Sequence, residues 1–476
     1  MEFPRIIVGA LRGGSGKTIL AIGIIAALCR RGKSVAPFKK GPDYIDSGWL
    51  ALAAGRPCYN LDSFLLDDPA NLQSFISHAV ESDIAVIEGN RGLYDGIDLE
   101  GSTSTAELAK LLRSPVVLCV DCTKATRTMA AVVLGCIRFD PDVMIKAVIL
   151  NRVANSRHEQ KLRDSIEYYC GIPVIGALPK LGKQHFPERH LGLVPTPEHN
   201  WAKDSIDAVT QIAEQHVDLK AVVEIARGAP QLTLPDRQAG PAVRRPKTAK
   251  SAEIAARVAP SSKPRIGILK DAAFQFYYPE NIDALAANGA DIVFISPLKD
   301  PKLPELDALY IGGGFPETHA HQLATNRSFN RQLRVRAEDG LPIYAECGGL
   351  MYLGEALILE GKTYPMAGVL PIVFDFYKKP QGHGYTLVTV EKQNPYYDVG
   401  MEIRGHEFHY SQVAKWSGTD EDLVFRMRRG VGIHKDLDGI LFKNVLATYT
   451  HIHARGTPEW AKAFVHNAIQ FKKFRS

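Results

Sequence analysis

Two runs of the 476-residue sequence combine residue types whose order suits chemistry. The first is Leu11-Arg12-Gly13-Gly14-Ser15-Gly16-Lys17-Thr18, behind the apolar run Arg5–Gly9 and before a helix-length apolar stretch. Glycines let backbone N–H groups curl around phosphate oxygens, and the N-terminus of the following helix adds partial positive charge. Lys17 is placed to reach the β- and γ-phosphates of a nucleotide, and Thr18 to ligate Mg2+. Gly13, Gly14, Ser15, Gly16, Lys17 and Thr18 are therefore the candidate nucleotide-binding residues. The strict phosphate-loop pattern has Gly where Leu11 stands.

The second run is Tyr344-Ala345-Glu346-Cys347-Gly348-Gly349-Leu350. A strand entering Cys, then Gly, then a helix follows the logic of a nucleophile elbow: the tight turn exposes the side chain and the helix points its N-terminus at it. Such surroundings are expected to lower the thiol pKa and to supply N–H donors for an oxyanion. Gly348 and Gly314, the latter in Gly312-Gly313-Gly314-Phe315-Pro316-Glu317, are the candidate donors. A Cys nucleophile needs a base, and His451 in Tyr449-Thr450-His451-Ile452-His453 is the candidate. Cys29, Cys136 and Cys170 lie in helical stretches and read as small buried apolar residues. Cys119 and Cys122 form one C-x-x-C with no second pair, which argues against zinc.

Acidic residues cluster after two further apolar runs. One cluster is Lys39-Lys40-Gly41-Pro42-Asp43-Tyr44-Ile45-Asp46 and the other is Glu88-Gly89-Asn90-Arg91-Gly92-Leu93-Tyr94-Asp95-Gly96. Carboxylates beside a phosphate site can hold Mg2+, a hard cation that prefers oxygen. Glu88 is the metal-ligand candidate with Thr18. Asp43, Asp46 and Asp95 are candidates for positioning substrate, metal or ammonia.

These residues must be carried by a scaffold that sets them side by side. Candidate strands are Arg5–Gly9, Ser34–Phe38, Ile84–Ile87, Val116–Val120, Ala147–Leu150 and Val174–Ala177, with helices at Thr18–Arg31, Ala106–Arg113 and His158–Tyr169. Strands apolar on both faces and joined by helices imply a parallel sheet covered on both sides, with ligands at the strands' C-terminal ends. The second half offers strands Arg265–Leu269, Ile292–Ile295, Ala308–Ile311 and Ile343–Ala345. A helical stretch near Asn281–Asn288, shorter strands and turns from Met366 to Ser411, and a closing helix Glu459–Phe471 complete it. The fold class expected is α/β: a phosphate-loop parallel-sheet domain followed by a second α/β domain.

Charge divides the halves. The net charge is +5, yet residues 226–263 hold eight Lys/Arg against two Asp/Glu, a local +6 that leaves −1 elsewhere. This segment is rich in Pro, Ala and Ser and reads as a solvated linker between domains 1–225 and 264–476. No aromatic residue interleaves its charges, so no nucleic-acid partner is expected. No apolar run is long enough to span a bilayer, and the first residues lack the basic and apolar regions of a signal peptide. Seven scattered cysteines fit a reducing, cytoplasmic setting.

Together these motifs resemble the cobyrinate a,c-diamide synthase family. Gly41-Pro42-Asp43-Tyr44-Ile45-Asp46, Glu88–Gly96, Arg189-His190-Leu191-Gly192-Leu193, Gly405-His406-Glu407-Phe408-His409-Tyr410-Ser411 and the Cys347 elbow match its pattern, in order, over nearly the whole chain. The resemblance implies a dethiobiotin-synthetase-like synthase half and a class I-type glutaminase half, with Cys347 as nucleophile and His451 raising its nucleophilicity. It implies Mg2+, with ATP, L-glutamine and a tetrapyrrole polycarboxylate as substrates. The a and c acetate carboxylates of cobyrinate would be amidated through acyl phosphates in cobalamin biosynthesis. A homodimer is one assembly it allows.

Two departures keep alternatives open. Class I glutaminases commonly carry Glu two residues after the His, where this chain has His453. The loop with Arg12-Gly13-Gly14 is similar to that of relatives that amidate sirohydrochlorin-type rings, as nickel-sirohydrochlorin or sirohaem. It also resembles the variant loop of deviant P-loop switch ATPases, an alternative of another class that leaves the second half unexplained. The run Arg404-Gly405-His406-Glu407-Phe408-His409-Tyr410 offers Arg404 and His409 beside aromatics, as partners for a flat polycarboxylate.

Overall fold

The computed structural model describes residues 3–180, 201–232 and 263–475, together with the backbone of 188–189 and 192–193. The chain forms two compact units, Met1–Asp236 and Arg237–Ser476. Among the described residues, no helix is long and apolar enough to cross a membrane.

The first unit is built on seven parallel strands: β1 (Arg5–Ala10), β2 (Val35–Lys40), β3 (Tyr59–Leu61), β4 (Ile84–Glu88), β5 (Val116–Asp121), β6 (Ile145–Val153) and β7 (Val174–Pro179). Their order in the sheet is β3-β2-β4-β1-β5-β6-β7. Every residue of β1, β2 and β4 is buried, as a sheet covered by helices on both faces requires. The chain departs from β1 to one side for β2–β4 and to the other for β5–β7, so the loop after β1 lies where the strand order reverses, the usual ligand crevice of such sheets. Helix α1 (Lys17–Arg30) is apolar almost all round, because the sheet and the helix Ala202–His216 both cover it.

The expected strands and helices are all present, with ends that differ by a few residues. Not named from the sequence were β3, helix α2 (Tyr44–Ala54), whose start lies inside the Asp43–Asp46 cluster, and the helices Asp68–Ala79, Arg127–Phe139, Ala202–His216 and Leu219–Arg227. Residues 226–232, given to the linker by composition, pack on the first unit: Ala226 and Leu232 are buried. The buried Arg5 guanidinium donates to Leu112 O at 2.7 Å and to Pro230 O at 2.6 Å, which anchors this stretch. The rest of the linker up to 262 lies outside the described residues, as do His190 and Leu191.

The second unit holds a mixed ten-stranded sheet. Strands Asp291–Ile295, Arg265–Leu269, Ala308–Ile311, Ile343–Glu346 and Val445–Thr448 run parallel in that order. Beyond them Leu437–Phe442, Leu423–Arg429, Gly382–Val390, Glu402–His409 and His451–Ile452 add antiparallel neighbours. A separate four-stranded sheet contains Lys362–Pro365, Ala356–Leu359, Ile372–Phe376 and Ser411–Trp416. The expectation of short strands and turns over Met366–Ser411 is corrected here: Gly382–Val390 has nine residues and Glu402–His409 eight, both in the main sheet. Gly382 and Gly384 look like turn residues in sequence, but Gly382 lies in a strand at a point where a Cβ would collide with the His409 ring.

Candidate functional site

The phosphate loop joins β1 to α1. Gly16 caps the helix in the left-handed region (φ 91°), and the first turn holds no acidic residue, so its free N–H groups face nothing negative on their own helix. Ser15 Oγ donates to Arg12 O at 3.0 Å, and Asn151, at the end of β6, donates to Ser15 O at 2.7 Å. Arg152 donates to Gly14 O at 3.0 Å and pairs with Asp121 at 2.6 Å, and Arg12 pairs with the same carboxylate at 3.5 Å. The loop is thus fastened from the ends of β5 and β6.

On the other side lies a charge cluster drawn from β2, β4 and α2. Thr18 Oγ1 donates to Glu88 Oε1 at 2.5 Å and lies 3.3 Å from Asp46 Oδ2. Lys39 Nζ sits 2.8 Å from Asp46, 3.0 Å from Glu88 and 3.9 Å from Asp43. Burial works against the Lys39 ammonium, but Asp46, Glu88 and Asp43 outweigh it and raise its pKa above the ordinary lysine value. Burial, and next Lys39, lower the pKa of Lys17. Burial opposes the Asp46 carboxylate as well, yet Lys39 holds it below the usual range. Burial raises Glu88, and burial followed by Asp46 pushes Asp43 up to about 7.

The acidic candidates separate by geometry. Asp43 caps α2, accepting from Asp46 N at 2.9 Å. Asp46 and Glu88 face the phosphate loop through Thr18 and Lys39. Asp95 does not join them: it is exposed and accepts from Gly92 N at 2.8 Å within its own turn. Glu88 Oε2 is buried and accepts no hydrogen bond. A hydroxyl and a carboxylate with a spare oxygen suit Mg2+, which takes one or two protein ligands and completes its shell with water and phosphate oxygens.

The second cluster surrounds Cys347. The strand Ile343–Glu346 ends in Cys347 at φ 45°, ψ −97°, a strained conformation for a residue with a side chain, and the helix Gly348–Leu353 follows. A Cβ on Gly348 would lie 2.9 Å from Gly314 N. A Cβ on Gly313 would collide with His451 Cε1 and lie 3.2 Å from Nε2. The elbow, the Gly-rich turn and the imidazole therefore converge only because glycines let them. His451 Nδ1 lies 3.5 Å from Glu346 Oε2. Buried Asp438 shapes the turn before His451, accepting from the Thr448 hydroxyl at 2.6 Å, Tyr449 N at 3.1 Å and Thr450 N at 3.2 Å.

Three expectations are corrected. The Cys347 thiol pKa is raised, not lowered: burial dominates, Glu317 adds to it, and the Gly348 N–H only partly opposes them. His409 does not face solvent; its ring stacks on Tyr449 at 3.7 Å, Nδ1 bonds Ser411 O at 2.8 Å, and Nε2 faces Glu407 at 3.6 Å. Only Arg404 of that pair is exposed. Cys29, Cys136 and Cys170 are half-buried, not buried, and each lies in the last turn of its helix.

Comparison with known proteins follows the same division. Residues 6–191 match the CobQ/CobB/MinD/ParA nucleotide binding domain, and residues 265–458 match the CobB/CobQ-like glutamine amidotransferase domain. A cobyrinate a,c-diamide synthase of Magnetococcus marinus is 46% identical over 97% of this chain and 96% of its own. The chain belongs to the cobyrinate a,c-diamide synthase family. Enzymes of that name from Archaeoglobus fulgidus and Listeria innocua are 39% identical over 99% of this chain and 99% of theirs, and 40% identical over 95% and 97%. As a member, the chain is a carbon–nitrogen ligase with a nucleotide-binding domain and a glutamine amidotransferase domain.

Reading by sequence singled out neither Lys39 nor Glu346, although both stand inside the quoted motifs. Lys39 is the first residue of a Lys-Lys pair, and only the register of β2 on β4, with Lys39 opposite Glu88, separates it from its neighbour. Glu346 precedes Cys347, and nothing local shows that it meets His451.

Proposed function

We propose that this enzyme converts the a and c acetate carboxylates of cobyrinate to amides, using ATP and the amide nitrogen of glutamine. What carries the reading is that one chain, alike over nearly its full length to cobyrinate a,c-diamide synthases, holds both a phosphate loop with an ammonium–carboxylate cluster and a Cys elbow packed on a Gly-rich turn that abuts an imidazole.

A carboxylate resists ammonia because its leaving group is poor; phosphorylation by ATP makes an acyl phosphate that ammonia can attack. The backbone N–H groups of Gly13–Gly16 and the Lys17 ammonium receive the triphosphate. Lys39, held charged between Asp46 and Glu88, supplies a second cation where charge shifts from ATP to substrate. Thr18 and Glu88 would hold Mg2+, which neutralises phosphate charge when bound. Asp43 fixes the start of α2 and so the position of Asp46.

In the glutaminase half, Cys347 Sγ attacks the side-chain amide carbon of glutamine. A thiol with a raised pKa needs its proton removed as it attacks, and His451 takes it. The N–H groups of Gly314 and Gly348 stabilise the oxyanion. Ammonia leaves, and water hydrolyses the thioester to glutamate. All seven cysteines are unpaired, which suits a cytoplasmic enzyme.

The decisive experiment offers the purified protein cobyrinate, hydrogenobyrinate, sirohydrochlorin and sirohaem, each with ATP, Mg2+ and glutamine, and weighs the products. Cobyrinate should lighten by two replacements of hydroxyl by amino. Amidation of sirohydrochlorin or sirohaem in its place would overturn the substrate, and ATP hydrolysis indifferent to any tetrapyrrole would overturn the ligase reading.

A further inference from the structure

In a Cys–His glutaminase the imidazole must present one nitrogen to the thiol, so the other nitrogen needs a partner that fixes the ring and its tautomer. The position two residues after His451, where such enzymes commonly carry Glu, is His453 in this chain. His453 is committed elsewhere, with Nε2 3.5 Å from Glu280 and Nδ1 accepting from Arg455 N at 3.2 Å.

The buried carboxylates around the elbow can be taken in turn. Glu407 faces His409 and accepts from Val431 N at 2.6 Å and Gly432 N at 3.1 Å. Asp438 binds the Thr448–Thr450 turn. Glu346 faces His451: Oε2 lies 3.5 Å from Nδ1 and accepts from the Tyr310 hydroxyl at 2.9 Å, while Oε1 accepts from Ile452 N at 3.1 Å. One carboxylate thus grips the backbone next to His451 and faces the ring itself. The opposite edge of the ring, Cε1 and Nε2, meets the Gly313 position beside the elbow. The two ring nitrogens are divided, one toward Glu346 and one toward the reaction.

We infer that Glu346 is the positioning residue for His451, replacing the missing carboxylate of the His-x-Glu pattern from the strand that also carries the nucleophile. The arrangement follows from register. Glu346 pairs with Thr448 across parallel strands, and His451 returns three residues later opposite His406. Glu346 is the last strand residue and Cys347 the first beyond it, at the left-handed φ of the elbow, so one short stretch carries both the carboxylate that faces His451 and the thiol. A separation of 3.5 Å is long for a hydrogen bond, but such bonds are often loose before substrate binds and tighten in the complex.

The inference rests on the proposed glutaminase with Cys347 as nucleophile, and its test separates the two. Steady-state glutamine hydrolysis would be measured for the whole enzyme and for Glu346→Gln, Tyr310→Phe, Glu280→Gln and Cys347→Ala. Glu346→Gln keeps the acceptor for Ile452 N and should lower kcat about 100-fold or more, while KM for glutamine stays within about 3-fold. Tyr310→Phe removes the other bond to the same oxygen but leaves the charge, and Glu280→Gln removes the carboxylate facing His453. Both should retain kcat. Equal losses in Glu346→Gln and Tyr310→Phe would mean a structural role and overturn the inference. A loss in Glu280→Gln with normal turnover in Glu346→Gln would move the role to His453 and overturn it too. If Glu346→Gln does not fold, Glu346→Asp withdraws the charge by one methylene and should lower kcat with KM unmoved; unchanged kcat overturns the inference. Glutamine hydrolysis surviving in Cys347→Ala would sink the glutaminase reading itself, whatever Glu346 does.

Discussion

The two sites obey one geometric rule and opposite electrostatic ones. Each stands at the C-terminal ends of parallel strands, where helix N-termini and loops converge. The phosphate-loop site is crowded with buried charge: Lys17 and Lys39 set against Asp46 and Glu88. Around the buried Cys347 thiol stand imidazoles and carboxylates: Glu317, Glu346 and Glu407, with His451 stacked on His406. Burial with the neighbouring His451 and His453 keeps the His406 pKa well below the ordinary value, so the ring stacked on His451 stays neutral. A site that receives a polyanion needs cations in place beforehand. The proposed transfer of a proton from thiol to imidazole needs neutrality and alignment instead.

The contrast can be broken by experiments whose effects run from very large to small. Cys347→Ala should cut glutamine-dependent amidation by ~10⁴-fold or more and spare amidation with added ammonia, as product mass spectrometry would show. If ammonia fails to rescue, the two sites are not separable. Lys17→Ala should lower amidation by ~10³-fold with either nitrogen source, because a cation is lost where phosphoryl charge develops. Near-normal turnover with ammonia would remove Lys17 from the phosphate site. Lys39→Met leaves Asp46 and Glu88 without their ammonium. Breaking such a pair costs about 3 kcal/mol, read as a lower denaturation midpoint, with amidation down ~10²-fold.

Subtler tests sharpen the comparison. Because the thiol pKa is raised, the thiolate fraction is small at neutral pH and grows about 10-fold for each unit of pH. Alkylation of Cys347 by iodoacetamide should therefore keep rising through pH 9. A plateau near neutrality would reveal a preformed thiolate. The smallest effect concerns His409, packed on Tyr449. His409→Ala should lower thermal stability by a few degrees, on the order of 1 kcal/mol, and leave the KM for tetrapyrrole unchanged.

Much of this was legible from local order. Arg5–Gly9, Ile84–Ile87 and Val116–Val120 are apolar on both faces, and such runs have few alternatives to buried parallel strands. The glycines before Lys17 and the Glu-Cys-Gly-Gly turn announce their backbone geometry, since each is a short stretch whose conformation its own residues impose. The order of motifs along the chain is itself characteristic of the family. What stayed hidden depends on residues far apart in sequence. Gly382–Val390 lay inside a stretch read as shorter strands and turns, because glycines that admit the His409 ring cannot be told from glycines that bend a loop. His409 looked available, because a strand's two faces are distinguished only by what packs on each.

Periodicity and side-chain type suffice for the fold class, and they name the residues proposed for the two sites. Tertiary structure alone decided which of several acids meets which cation or imidazole. Asp46 with Lys39 and Glu346 against His451 depend on strand register, whereas Asp43 as a helix cap and Asp95 turned back on its own loop are contacts made within three residues of chain. It also decided the direction of the thiol's pKa. A motif can promise N–H donors, but the desolvation that outweighs them comes from the residues packed around Cys347.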